Sequence, residues 1–261
     1  MSGDAGETAR TSLRPGLCSV TFRALDPERI IELAAASGLE AIEWGGDVHV
    51  PPGDIAAAER IARLTADAGI AACSYGSYFR CVPGESLAAV LDSAEALGVD
   101  RVRVWAGRRG SRDATDSDRA AVTAALHEGA ATAEARGIGL ALEFHEGTLA
   151  DSADATLRLL RDVDQPSLST YWQPTVGVGA DDAIDEYRVV AARTSAVHVF
   201  SWWPMRERLP LSARGDLWSR LFAEADASGH PPRDVLLEFV PDDDPAILVR
   251  EAAALRAYLS V

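Results

Sequence analysis

Eight short apolar runs, each followed by a segment of helical periodicity, constrain this chain more than any other feature of its sequence. The first four are GLCSVTF (16–22), LEAIEWG (39–45), GIAACSYGS (69–77) and DRVRVWAG (100–107). GIGLALEFHEG (137–147), SLSTYWQP (167–174), SAVHVFSWW (195–203) and DVLLEFV (234–240) complete the set. Ala- and Leu-rich segments follow them at 26–38, 54–68, 85–97, 117–136, 153–163, 181–192, 214–228 and 245–259. The first of these, DPERIIELAAASG, has Asp26 at a cap position, Pro27 in the first turn and Gly38 past the end, which is the polarity of a helix. Strict strand–helix alternation implies a parallel sheet with crossover helices. Eight such units in 261 residues match the size of a closed (β/α)8 barrel. The other arrangement of the same elements is an open doubly wound sheet, but no G-x-G-x-x-G follows the first strand. The sequence therefore predicts an α/β fold, a single (β/α)8 TIM-barrel domain over 15–261 after a short flexible tail at 1–14.

Composition narrows the partners. Forty acidic against 25 basic residues leave a formal charge of −15, the wrong sign for a nucleic-acid-binding face. Cys18, Cys73 and Cys81 have no C-x-x-C spacing, so neither a disulfide framework nor a zinc knuckle is indicated. The N-terminal MSGDAGETARTSLRPG lacks the apolar centre of a signal peptide. No apolar run approaches the roughly 18 residues of a membrane helix. The expectation is a soluble cytoplasmic protein with a small-molecule partner, no nucleic acid and no membrane, and compatible with homo-oligomer formation.

In a barrel of this kind, polar residues at the C-terminal strand ends carry the chemistry. Those ends here hold Glu43 on the second strand, Glu143 and His145 on the fifth, Gln173 on the sixth, His198 on the seventh and Glu238 on the eighth, with His49 just beyond the second. Side chains alternate along a strand, so Glu143 and His145 share a face. A buried carboxylate beside an imidazole is costly unless something uses it, and converging carboxylates repel unless protonated or bridged by a cation. Glu143, Gln173, His198 and Glu238 would offer three oxygens and one imidazole nitrogen, a set suited to manganese, cobalt, zinc or magnesium. In the competing reading Glu143 and Glu238 are ion-paired to Arg103 or Arg80 and no metal binds.

The stretches GLEAIEWGGDVHV, ALEFHEGTLADSADATLRLL, STYWQP, AVHVFSWWP and VLLEFVPDD, in this order and strand placement, resemble the xylose-isomerase-like TIM barrels of the sugar phosphate isomerase/epimerase superfamily. LPLSARGDLWSRLF (209–222) is similar to that family's Gly-Asp-x-x-Trp element. The resemblance implies a metal held by Glu, Asp, His and Glu from the last four strands, carried over to Glu143, Gln173, His198 and Glu238. Gln173 stands where Asp is usual and removes one negative charge.

It also implies the chemistry. A divalent metal, Mn2+ first and Co2+, Mg2+ or Zn2+ as alternatives, would act as a Lewis acid on adjacent sugar oxygens, and one glutamate would take the neighbouring proton. A second glutamate would return it to the metal-bound enediolate, with Glu143 and Glu238 as base and acid. His145, His49, Glu43, Trp105, Trp203 and Arg206 are then candidate substrate contacts, and Trp202 a candidate wall. The expected activity is a metal-dependent sugar isomerase or epimerase in carbohydrate metabolism. The alternative is a lyase or dehydratase on a keto-sugar or inosose through the same enolate. An endonuclease-IV-like repair enzyme would need more histidines and a basic rim than five histidines and a charge of −15 provide. A non-catalytic sugar-binding barrel would bind ligand and metal without exchanging a substrate proton.

Overall fold

A computed structural model of the chain describes residues 13–227, 229 and 232–260. Positions 1–12 of the expected tail, and His230, lie outside the described residues; Arg14, placed in the tail by the sequence, already opens the first strand. The barrel strands are β1 (Arg14–Cys18), β2 (Ala41–Gly45), β3 (Ala71–Gly76), β4 (Arg101–Val104), β5 (Gly139–Leu142), β6 (Leu168–Trp172), β7 (Thr194–Val199) and β10 (Asp234–Leu237). They are parallel and close in the order β1-β10-β7-β6-β5-β4-β3-β2, which rules out the open sheet. Helices α1 (Pro27–Ala36), α2 (Ile55–Asp67), α3 (Ala88–Leu97) and α4 (Asp116–Glu134) follow the first four strands. Helices α5 (Ala153–Val163), α6 (Ala180–Val190), α7 (Gly215–Ala227) and α8 (Leu248–Tyr258) follow the rest.

Local chemistry fixes several helix starts. Thr115 and Asp118 form a reciprocal capping box on α4, and the Asp54 carboxylate accepts from Ala57 N at 3.0 Å on α2. Asp26 occupies the cap of α1 as expected, yet its side chain makes no cap bond; Pro27 at the first position starts that helix. No helix among the described residues is long and apolar enough to cross a membrane.

The apolar runs extend past the strands. The run 137–147 is strand only through Leu142, and the run 195–203 splits after Val199. Ser201–Trp202 (β8) then leaves the barrel and pairs antiparallel with Arg208–Leu209 (β9).

Period-2 alternation sorts the strand side chains into two cores. Val102 and Val104, Leu140 and Leu142, and Val197 and Val199 pack outward against the helices in the large apolar cluster. The interior cluster is built of Cys18, Ala41, Cys73, Ala141, Tyr171, Ala196 and Leu236. These are mostly small, and that leaves room for two arginines from the RVRV strand, Arg101 and Arg103, 5% and 2% exposed.

Arg101 serves the N-terminal end of the barrel. It pairs with the fully buried Asp234, which also accepts from Arg14 at 2.6 Å and Arg233 at 3.2 Å. Removing one partner of a buried charge pair costs about 3–5 kcal/mol. Asp234→Asn is therefore expected to lower stability on that scale in chemical denaturation. A denaturation midpoint equal to that of the parent chain would show that water, not Asp234, satisfies these arginines.

Candidate active site

Glu43, Glu143, Gln173, His198 and Glu238 have the same alternation parity as the interior residues Ala41, Ala141, Tyr171, Ala196 and Leu236 of their strands. They therefore converge above the interior layer at the C-terminal end of the barrel. A cavity of about 330 Å³ opens there, lined at its base by Arg103, Glu143, Gln173 and Glu238. Glu143, Gln173 and Glu238 each stand one residue past their strand, while His198 lies within β7. This is the position where loops can present side chains from a rigid frame.

The floor is a connected network. His198 is fully buried, and its Nδ1 faces Glu238 Oε2 at 3.2 Å and Gln173 Oε1 at 3.3 Å. Its Nε2 has no hydrogen-bond partner among the described residues; Glu43 Oε1 is 3.5 Å away. Arg103 donates to Glu43 Oε1 at 3.0 Å and to Glu143, so one guanidinium bridges two buried carboxylates. Ser74 Oγ donates to the other Glu43 oxygen at 2.9 Å. Gly76 on β3 makes room for this bridge: a Cβ there would lie 2.7 Å from Arg103 Nη2 and 2.9 Å from Glu43 Oε1.

The charges respond to one another. Burial would raise the Glu43 carboxyl, but Arg103 and then His198 outweigh it and hold it well below the usual carboxylate range. Glu238 is likewise lowered, burial being overcome by His198 and Arg103. Burial would lower the His198 ring, yet Cys18 and Glu238 raise it well above the ordinary imidazole range.

Several sequence candidates meet in the cavity wall. His145, Trp105, Trp202 and Arg206 line it. The Trp105 ring lies 4.4 Å from the His145 ring and 6.1 Å from Tyr78, and Trp202 packs on Phe239 at 5.3 Å, so aromatic banks stand on both sides. Arg206, at the turn of the β8–β9 hairpin, reaches across to Glu146 after β5.

Three candidates are not brought into the lining. Glu43 is 2% exposed and sits below the cavity, held by Arg103 and Ser74. His49 is buried under the second strand's loop, bonded to Ser19 Oγ at 2.9 Å and edge-on to Trp44. Trp203 is 37% exposed on the hairpin, covered on one face by Arg214. The lining also includes residues that sequence reasoning did not assign to it: Arg23, Tyr78, Asp151 and Phe239. Tyr78 and Asp151 lie in loops whose course is set by tertiary packing. Arg103 carried a signal, a charged residue repeated at alternate positions in an apolar run. It entered only as the ion-pair partner of the competing reading, and that pairing with Glu143 is present.

These residues fit a divalent cation. Donors at right angles around an ion at about 2.0–2.2 Å stand roughly 3 Å apart, and the 3.2 and 3.3 Å separations of Glu238 and Gln173 from one imidazole nitrogen match that edge. With His198 neutral as a ligand, the carboxylates of Glu43, Glu143 and Glu238 and the guanidinium of Arg103 sum to two negative charges, which a divalent ion would balance.

A parallel eight-stranded barrel with carboxylates and an imidazole at its C-terminal end defines a class, and the chain's place within it follows from comparison. The sequence model of the xylose isomerase-like TIM barrel family matches residues 31–258, and the chain belongs to that family. No curated protein sequence matches it. Among solved structures it is similar to a probable 3-DHS dehydratase, AsbF, involved in petrobactin synthesis in Bacillus anthracis. Identity is 18%, coverage 94% of this chain and 99% of that one, and the TM-score 0.76. D-psicose 3-epimerase of Clostridium cellulolyticum H10, with D-tagatose, is 17% identical over 94% of this chain and 98% of its own, with TM-score 0.72. A xylose isomerase-like TIM barrel protein of Mycobacterium smegmatis in complex with magnesium is 14% identical over 97% and 99%, also with TM-score 0.72.

Proposed function

We propose that this chain is a divalent-metal-dependent isomerase or epimerase of a sugar or sugar derivative, acting by proton abstraction next to a carbonyl. The observation that carries the reading is the convergence of Glu238 and Gln173 oxygens on Nδ1 of the fully buried His198, with a second carboxylate, Glu143, on the same cavity floor. Glu143, Gln173, His198 and Glu238 would hold the ion. When bound it supplies Lewis-acid polarisation of a carbonyl, which acidifies the adjacent C–H bond.

The chain's own residues do the rest. Glu143 and Glu238 stand on β5 and β10, with β6 and β7 between them, so they reach a bound substrate from different directions. One carboxylate takes the proton from carbon; the other, carrying a proton, delivers it to the neighbouring carbon or the opposite face. Arg103 keeps Glu143 in place by bridging it to Glu43. Trp105 and Trp202 offer apolar faces for the C–H surface of a sugar.

A lyase acting on a keto-sugar or inosose is the second reading. His145 favours it: its Nδ1 is tied to the Glu146 carbonyl at 2.7 Å, leaving its other ring nitrogen to serve a departing hydroxyl from the cavity wall. The similarity to a protein described as a dehydratase is consistent with this reading.

Metal analysis together with solvent deuterium wash-in tests the proposal across ketoses, inososes and 3-keto sugars. Near-stoichiometric divalent metal is expected, with deuterium entering the carbon beside the carbonyl and exchange lost on chelation. Metal-free protein with full exchange in EDTA would overturn it. Appearance of an unsaturated product would select the lyase.

Gln173→Asp tests the ligand set separately. The added negative charge is expected to tighten metal binding in competition with a chelating dye, and to lower turnover because the ion then withdraws less charge from a carbonyl. Unchanged affinity would remove Gln173 from the ligands.

A further inference from the structure

One donor on this floor has no part in the reading above. Cys18, the last residue of β1, is fully buried in the barrel interior. One ligand atom each from Cys18, His198 and Glu238 lie within 4.8 Å of one another. Cys18 Sγ is also 4.0 Å from Glu43 Oε1, the oxygen that stands 3.5 Å from His198 Nε2.

A buried free cysteine ordinarily behaves as a small apolar filler. Cys73 fits that description: its sulfur pairs with the neighbouring Ser74 hydroxyl at 3.6 Å and packs in the interior apolar cluster. Cys18 does not, because a ring nitrogen of His198 and a carboxylate oxygen of Glu238 lie within 4.8 Å of its sulfur and Glu43 Oε1 is 4.0 Å away.

We propose that Cys18, His198 and Glu238 make this floor a thiophilic cation site, so that the chain selects zinc or cobalt over magnesium and manganese. The inference rests on the assignment of His198 and Glu238 as metal ligands. Sulfur, nitrogen and oxygen donors together suit zinc and cobalt, whereas magnesium and manganese favour all-oxygen surroundings. Tetrahedral donors at about 2.0–2.3 Å stand roughly 3.5 Å apart, so the cluster needs to contract by only about 1 Å at its widest. Gln173 strengthens the preference, since an amide in place of a carboxylate lowers the charge that would hold a hard ion. On binding, the metal–sulfur bond forms as the S–H bond breaks, and the thiol proton passes to solvent.

The test uses the full chain stripped of metal and titrated with cobalt(II), then with zinc and manganese against a chelating dye. A sulfur-to-cobalt charge-transfer band in the near ultraviolet is expected, saturating at one cobalt per chain and absent from Cys18→Ser. Zinc affinity should fall roughly tenfold or more in Cys18→Ser, with manganese affinity little changed. Circular dichroism checks the fold of the variant, and the cobalt spectrum of the parent chain decides the matter without any variant. Cobalt binding with no charge-transfer band, or zinc affinity unchanged in a folded Cys18→Ser, would overturn the sulfur ligand and leave the oxygen–nitrogen site intact. Failure of cobalt, zinc and manganese alike to bind would overturn both.

Discussion

Arg103→Met is expected to lower stability by about 3–5 kcal/mol, the usual cost of leaving a buried charge without its partner. Arg103 is 2% exposed and its guanidinium touches both Glu43 and Glu143. Methionine fills much of the same volume, so the loss reports charge rather than a cavity. Two carboxylates would then face each other and Glu238 without that cation, and at least one would take a proton. Arg103→Lys keeps the charge but not the two-pronged geometry, and should recover only part of the loss. Adding a divalent ion should restore stability to the methionine variant, because the ion replaces the missing positive charge. Chemical denaturation with and without metal measures all three effects. A cost under about 1 kcal/mol for Arg103→Met would mean that the bridge contributes no more than a surface pair.

Glu143→Gln and Glu238→Gln should each reduce turnover by about 10²–10⁴-fold, the range for a positioned general acid or base. The amide keeps the size of the side chain and one oxygen, so both variants should fold and retain part of their metal affinity. The two differ in their neighbours. Glu143 meets Arg103, and Glu238 meets His198 Nδ1 at 3.2 Å, so Glu143→Gln should cost the more stability and Glu238→Gln the more metal affinity. Steady-state rates and solvent deuterium exchange on the same preparations separate loss of proton transfer from loss of binding. A variant retaining more than about a tenth of the parent rate would show that its residue moves no proton in the slow step.

The fold was readable because its signal is local and repeated. Alternation of apolar runs with helical periods needs no knowledge of long-range contacts, and the helix at 153–163 was located to the residue. The period-2 rule likewise set Glu143 and His145 on one face, and both line the cavity, since parity along a strand survives errors in its boundary.

Tertiary structure decided what lies next to what across strands. Cys18 and Glu43 come from β1 and β2, Arg103 from β4 and His198 from β7, and only barrel closure brings them to one floor. Depth was equally hidden. Glu43 looked like a substrate contact because it ends a strand, but the 3.0 Å bond to Arg103 and the 2.9 Å bond from Ser74 hold it beneath the cavity. His49 and Trp203 sit in loops, where no periodicity fixes direction, and packing on Ser19 and Arg214 turned them away. A strand's sequence specifies which side each residue faces. The distance between charges on different strands is set by closure of the barrel, and on that distance depend the pairing of Arg103, the exposure of Glu43 and the donors around His198.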